Sequence, residues 1–152
     1  MEDIIVSIEL PTDKQGFTLL KCYNCGEMFK LHPSDVKDDG VLFVSCPSCG
    51  IYIESFMNDE VLELGLVKLE NQFFEQVYED CKKLEKEFNK GPLVFKAGKK
   101  PIKKYERHLS SNVEAFEKAH FVCCKREAMI KPLLKITGCY CPFCGVKQYE
   151  FK

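Results

Sequence analysis

Four cysteines in two matching turns carry the clearest chemistry in this chain: Cys22-Tyr23-Asn24-Cys25-Gly26 and Cys46-Pro47-Ser48-Cys49-Gly50. A C-x-x-C turn sets two thiolates on one side of a metal ion. The glycine after the second cysteine lets the backbone fold back, so that amides point at sulfur and ease its charge. Two such turns complete a tetrahedral shell, and the 20 residues between Cys25 and Cys46 fall within the spacing of a four-cysteine zinc site. Four thiolates leave no open position for water, so the site is expected to be structural rather than catalytic.

A third turn, Cys141-Pro142-Phe143-Cys144-Gly145, offers half of a second site. The other half must come from His120, Cys123, Cys124 and Cys139. The adjacent pair Cys123 and Cys124, separated from Cys141 by 16 residues, is preferred because the gap is hairpin-sized. His120 is the first reserve through His120-x-x-Cys123, and Cys139, two residues before Cys141, could also reach. Two zinc ions are therefore expected. Cys81 reads as a small core residue of a helix. His32 reads as a loop residue beside Pro33, and His108 as a surface residue after a basic stretch.

Ten cysteines in 152 residues would suit a secreted disulfide scaffold, but the acidic start Met1-Glu2-Asp3 lacks the positive charge of an export signal. The thiols are expected to stay reduced in a cytoplasmic setting. No stretch approaches 18 uninterrupted apolar residues, so no membrane span is expected.

The pattern Cys-x-x-Cys-Gly, spacer, Cys-Pro-x-Cys-Gly resembles the zinc-ribbon superfamily with its rubredoxin-type knuckles. The ending Phe121-Val122-Cys123-Cys124 through Cys139-Tyr140-Cys141-Pro142-Phe143-Cys144-Gly145 is similar to small bacterial and phage zinc-ribbon proteins, in which a Cys-Cys pair precedes a Cys-Pro-x-Cys-Gly turn. The resemblance covers roughly residues 17–56 and 120–150. It implies a scaffold, and nucleic-acid or protein binding more often than catalysis.

The elements that must position these cysteines can be read from pattern. Strands are expected at 4–10, 17–22, 28–31, 41–44 and 51–56, with polar turns at 12–16 and 32–40. From Asn58 the period changes. Leu62, Leu66, Leu69, Phe73, Val77, Cys81, Leu84 and Phe88 recur three or four apart, which predicts an amphipathic helix of about eight turns, capped by Asn58 or Asp59 and stopped by Gly91-Pro92. The repeat is close to a heptad, but Phe73 and Cys81 are weak coiled-coil choices, so packing within the chain is expected over homodimerisation. A basic linker follows. Ser111-Asn112-Val113-Glu114 matches a capping box for a short helix through about Ala119, and strands are expected at 120–124, 130–140 and 146–151. The fold class is thus a small zinc-stabilised α+β protein: an N-terminal β zinc ribbon (1–57), a long amphipathic helix (58–90), a basic linker (91–110) and a C-terminal zinc-ribbon-like module (111–152).

Net charge is −1, which hides an asymmetry along the chain. Residues 1–58 carry nine acids and four bases, residues 59–90 nine acids and five bases, and residues 91–152 thirteen bases and five acids. Lys96, Lys99, Lys100, Lys103, Lys104 and Arg107, with Tyr105 among them and Lys125, Arg126 and Lys131 beyond, could meet DNA or RNA phosphates. The same basic stretch could instead dock on the acidic part of its own chain. A protein partner through the 58–90 helix is the competing expectation, making the chain an adaptor with structural zinc. No H-E-x-x-H, Walker loop or G-x-S-x-G is present, so no enzyme is expected.

Overall fold

The computed structural model describes residues 3–52, 54, 58–109 and 115–151. The chain forms two compact units, each discontinuous in sequence. One, the helical unit, is built from Met1–Glu9 and Glu60–His108; the other, the cysteine unit, from Leu10–Asp59 and Leu109–Lys152. The two cysteine-bearing stretches, far apart in the chain, therefore share one unit. Among the described residues no helix is long and apolar enough to cross a membrane.

The cysteine unit is organised on two β-hairpins laid side by side. Strands β1 (Thr18–Lys21) and β2 (Met28–Leu31) form the first, and β3 (Glu117–Phe121) and β4 (Arg126–Ile130) the second. They join through β2 and β4 into a four-stranded antiparallel sheet of order β1-β2-β4-β3, with Lys30 opposite Met129 and Leu31 opposite Ala128. Alternate residues point to one face, and Phe29, Leu31, Ala119, Phe121, Ala128 and Ile130 put that face into a dry core. The small side chains of Ala119 and Ala128 sit directly opposite each other, leaving room for the larger neighbours. Lys30, on the same central strand, is only 3% exposed. Its ammonium reaches Asp13 at 3.1 Å and lies over the Phe116 ring, which keeps the buried charge paired.

Three short elements complete this unit: α1 (Pro33–Val36), α3 (Pro132–Thr137), and the two-stranded β5 (Cys139–Tyr140) with β6 (Lys147–Gln148). Both short helices begin with proline, whose fixed φ suits the first helical position and whose missing N–H is not needed there. That corrects two expectations. Residues 32–35 are not a plain polar loop, and residues 130–140 are not one strand: Pro132 opens a helix and Gly138, at φ 87°, ends it. The terminal strand shrinks to Lys147–Gln148. Glu117–Ala119 belong to β3 rather than to a helix, while the capping box at 111–114 lies outside the described residues. The strand expected at 41–44 does not form; in that region Ser45 and Tyr52 make a single bridge, and residues 53 and 55–57 lie outside the described residues.

The helical unit is built on α2 (Asp59–Phe88), 30 residues long. Residues 3–9 are not a strand. The segment runs beside α2, where Lys68 Nζ donates to the Ser7 carbonyl and Ile8 closes on Gly65. After Gly91 the chain returns along the same helix. The Phe95 amide donates to the Asn89 side chain, and the Phe95 ring meets Phe88. Further on, Asn71 holds Lys104 by both backbone groups, donating to its carbonyl at 2.9 Å and accepting from its amide at 2.8 Å.

These two extended segments cover one side of α2, the side of Leu64, Lys68, Asn71 and Glu75. At 100° per residue, the apolar stripe from Leu62 to Phe88 falls on the opposite side. Leu62, Leu66, Leu69, Phe73, Val77, Leu84 and Phe88 are each 42–66% exposed. The stripe was expected to pack within the chain; among the described residues it stays largely exposed, with Phe88 meeting Phe95 at its end. The covered side buries Val61, Leu64 and Asn71, and its polar side chains Lys68 and Asn71 bond the backbone of the covering segments.

Candidate metal centres

Two groups of four cysteines lie close enough to share an ion among the described residues: Cys22, Cys25, Cys46 and Cys49, and Cys123, Cys124, Cys141 and Cys144. In each group all four sulfurs are within 4.8 Å of one another. In the first, Cys22 and Cys49 are 3.8 Å apart and Cys25 and Cys46 3.6 Å; in the second, Cys123 and Cys144 are 3.4 Å apart. Four sulfurs ~2.3 Å from a central ion stand about 3.8 Å from each other. All ten cysteines are free thiols. The donor set therefore fits a tetrahedral ion that accepts four thiolates, which zinc and iron both do. Neither His120 nor Cys139 belongs to the second group. Cys139 is buried, which pushes its thiol up to about 12; it behaves as a core residue.

Each site is assembled in the same way, from one hairpin turn and one separate knuckle. The β1–β2 turn supplies Cys22 and Cys25; the β3–β4 turn supplies Cys123 and Cys124. In the three C-x-x-C-G turns the backbone repeats two hydrogen bonds. The glycine amide donates to the first cysteine's carbonyl in Gly26→Cys22, Gly50→Cys46 and Gly145→Cys141, at 2.7, 2.9 and 2.8 Å. The first cysteine's amide donates five residues on, to Glu27, Ile51 and Val146. The geometry requires the residue after the second cysteine to turn left-handed, and Gly26, Gly50 and Gly145 have φ of 76°, 72° and 74°.

The fourth turn has no glycine. Lys125, which follows Cys124, has φ 53° and is the one non-glycine residue with positive φ among the described residues. It occupies the place that glycine holds in the other turns. Sequence reasoning missed this because it looked for glycine; the signal available was the position itself, one residue after the second ligand.

The two free-standing knuckles are joined to each other. The Ser45 amide donates to the Pro142 carbonyl at 2.7 Å and the Tyr140 amide to the Pro47 carbonyl at 2.9 Å. Ser45 and Tyr140 each precede the first cysteine of a knuckle, and Pro47 and Pro142 each follow it. The contact is thus reciprocal, as about a local two-fold axis. Tyr140 covers Gly50, and Ser45 Oγ stands beside Gly145.

The electrostatics repeat in step. Burial pushes the thiols of Cys46 and Cys141 well above the ordinary range, against the amides of Ser48 and Cys49 in one and of Phe143 and Cys144 in the other. For Cys49 burial is outweighed by the Ile51 amide and the neighbouring thiols, and its pKa falls to about 7. For Cys144 burial is likewise outweighed, by the Val146 amide and the neighbouring thiols, and its pKa also falls. Cys22 is raised, and Cys124 is raised to about 11, both chiefly by burial. Without a cation the deepest sulfur of each group stays protonated; an ion that binds must displace its proton.

Several of the bases expected to meet phosphates form ion pairs within the chain. Lys103 and Lys100 reach Glu75 at 2.7 and 3.7 Å, and Lys104 reaches Glu70. Lys103 draws Glu75 below the usual carboxylate range. In the cysteine unit, Arg126 faces Asp35 and Asp38, and Lys131 reaches Glu27 at 2.9 Å. Lys96 lies in the field of Glu85. Lys99 and Arg107 make no ion pair among the described residues, and both are exposed.

Sorted by unit rather than along the chain, the charge asymmetry disappears. The helical unit holds twelve acids and eleven bases, and the cysteine unit eleven of each.

No protein-family model, curated protein or solved structure matches this chain.

Proposed function

We propose that the protein is a non-catalytic zinc protein whose two closed four-cysteine centres hold a surface for binding another protein, in the manner of an adaptor. The observation that carries this reading is the charge balance within each unit. The six bases at 96–107 fold back along the acidic helix, and Lys100, Lys103 and Lys104 face Glu70 and Glu75. Two zinc ions, each held by four thiolates, would bring the neutral cysteine unit to a formal charge of −4. Neither unit then offers the concentrated positive field that phosphate binding needs. Zinc is favoured over iron as a closed structural ion that has no redox chemistry to control.

The cysteine unit also carries an apolar edge beside the first centre. Leu42, Phe43, Ile51 and Tyr52 are all exposed, and the rings of Phe43 and Tyr52 lie 5.2 Å apart. Exposed clusters of aromatic and aliphatic side chains suit a protein partner better than a phosphate backbone.

Affinity capture from the native cell, with the zinc-loaded protein and a Phe43→Ser, Tyr52→Ser variant in parallel, tests the reading. A stoichiometric protein retained by the first and lost by the second is expected. Salt-dependent retardation of DNA or RNA that weakens on changing Lys99, Lys100, Lys103 and Lys104 to Ala would overturn it in favour of nucleic-acid binding. Elemental analysis should return two zinc ions per chain.

A further inference from the structure

We infer that α2 pairs with α2 of a second copy of this chain, antiparallel, along its exposed apolar stripe. The inference goes beyond the proposed role of the cysteine unit and does not depend on it.

Six of the stripe residues also follow an 11-residue repeat, set by the extra four-residue step from Phe73 to Val77 between two heptad-spaced halves. Leu62, Phe73 and Leu84 are 11 residues apart, and so are Leu66, Val77 and Phe88. Eleven residues over three turns is close to the natural pitch of an α-helix, so the stripe stays on one face of a nearly straight helix. Seven apolar side chains along about seven turns stay half-exposed among the described residues, Phe88 with one side against Phe95. At roughly half exposure each, they present on the order of 600 Å² per copy, near the ~800 Å² per partner of a stable interface.

The spacing of the stripe reads the same in both directions. Leu62 and Phe88 lie 13 residues either side of Glu75, Leu66 and Leu84 nine, Leu69 and Cys81 six, and Phe73 and Val77 two. In a two-fold antiparallel pair, each residue on one helix faces its mirror position on the other. Every stripe residue would then meet a stripe residue. The sizes also fit, with Leu69 against Cys81, Phe73 against Val77 and Phe88 against Leu62, so that a large side chain meets a smaller one at three of the four levels. A binding face for an unrelated protein has no need of such a mirror, whereas a self-complementary face does.

Charge selects the antiparallel sense. Residues 59–70 hold four acids and one base; residues 80–90 hold four bases and three acids. Antiparallel pairing sets the acidic end of one helix beside the basic-leaning end of the other, and also opposes the helix dipoles. Parallel pairing would stack the acidic ends on each other. Glu75 itself faces away, toward Lys100 and Lys103, and is not needed at the interface.

The test uses the full zinc-loaded chain. Light scattering or sedimentation is expected to give the mass of two chains at micromolar concentration, and Leu66→Glu should weaken the dimer at least a hundredfold while two zinc ions and the helical signal remain. A separate variant, with a photoreactive benzoylphenylalanine in place of Leu62, should cross-link between copies near residue 88. A single-chain mass up to ~100 µM, a dimer unaffected by Leu66→Glu, or cross-links centred near residue 62 of the other copy would each overturn the inference. Should Leu66→Glu lose its fold, the cross-link position decides alone. A monomeric result leaves the partner-capture test of the cysteine unit untouched.

Discussion

The ring of Tyr140 lies 2.9 Å from where a Cβ on Gly50 would stand. The residue that precedes one knuckle therefore closes the turn of the other, and the glycine there serves packing as well as backbone geometry. Gly26 has nearly the same φ but nothing within 4 Å of its absent Cβ. Gly26→Ala should cost only the left-handed backbone term, about 1 kcal/mol, whereas Gly50→Ala should cost roughly 2–4 kcal/mol because the Tyr140 ring must also move. Denaturant unfolding of both metal-loaded variants measures the difference; equal losses would show that the Tyr140 contact contributes nothing.

Lys125 adopts, at φ 53°, the conformation that glycine adopts in the other three turns. Lys125→Gly should stabilise the metal-loaded protein by about 1 kcal/mol, since the left-handed penalty is removed. The same measurement on Lys125→Ala should show little gain. A destabilised glycine variant would mean that the Lys125 side chain does more than occupy the turn.

Asp13 and Lys30 form the most deeply buried ion pair of the described residues, with side chains 16% and 4% exposed. Removing the acid leaves a charged amine in the sheet, so Asp13→Ala should cost about 3 kcal/mol or more. Lys30→Met keeps the volume without the charge and should cost far less. Burial alone would raise the Asp13 carboxyl; the Phe17 amide, the Lys30 ammonium and the Gln15 amide outweigh it and hold its pKa below the usual value. A depressed carboxyl contributes stability above its unfolded pKa, and that stability is lost as pH falls through the folded one. The stability gap between wild type and Asp13→Asn should therefore be full near neutrality and shrink below about pH 4. A carboxyl resonance that titrates above the free-Asp value would contradict this sign.

Asn71 is a buried polar residue on α2, and its amide satisfies both the N–H and the C=O of Lys104. Asn71→Ala should leave those groups unpaired at a cost of roughly 1–3 kcal/mol, and should speed hydrogen exchange at the 104 amide before any other. Asn71→Asp accepts from the amide but cannot donate to the carbonyl, and it adds repulsion with Glu106, so it should fall no better than Ala. Unchanged exchange at 104 in both variants would remove the clamp from the account.

The knuckles and the long helix were legible in the sequence because each is a local pattern. Cysteine spacing fixes a turn, and the three-and-four recurrence from Leu62 to Phe88 fixes a helix, found at Asp59–Phe88. What covers a helix is not local. The apolar stripe marked the face most in need of cover, but the covered face is the one where Asn71 and Glu75 meet a returning backbone and its lysines. Charge balance is not local either. A basic third of the chain is an asymmetry only along the sequence, and folding distributed its bases among acids from elsewhere. The short helices at Pro33–Val36 and Pro132–Thr137 are not legible in the sequence because four to six residues are too few to establish a helical period.

The bonds from Ser45 to Pro142 and from Tyr140 to Pro47 also set an order in time. Residues separated by nearly a hundred positions must meet before either knuckle is backed, and β2 waits for β4 in the same way. During synthesis the first four-cysteine centre emerges early, without its neighbour, and must persist as a half-supported loop until residues near 142 leave the ribosome. The cysteine unit should therefore be the slow step of maturation, closing only when the last knuckle arrives.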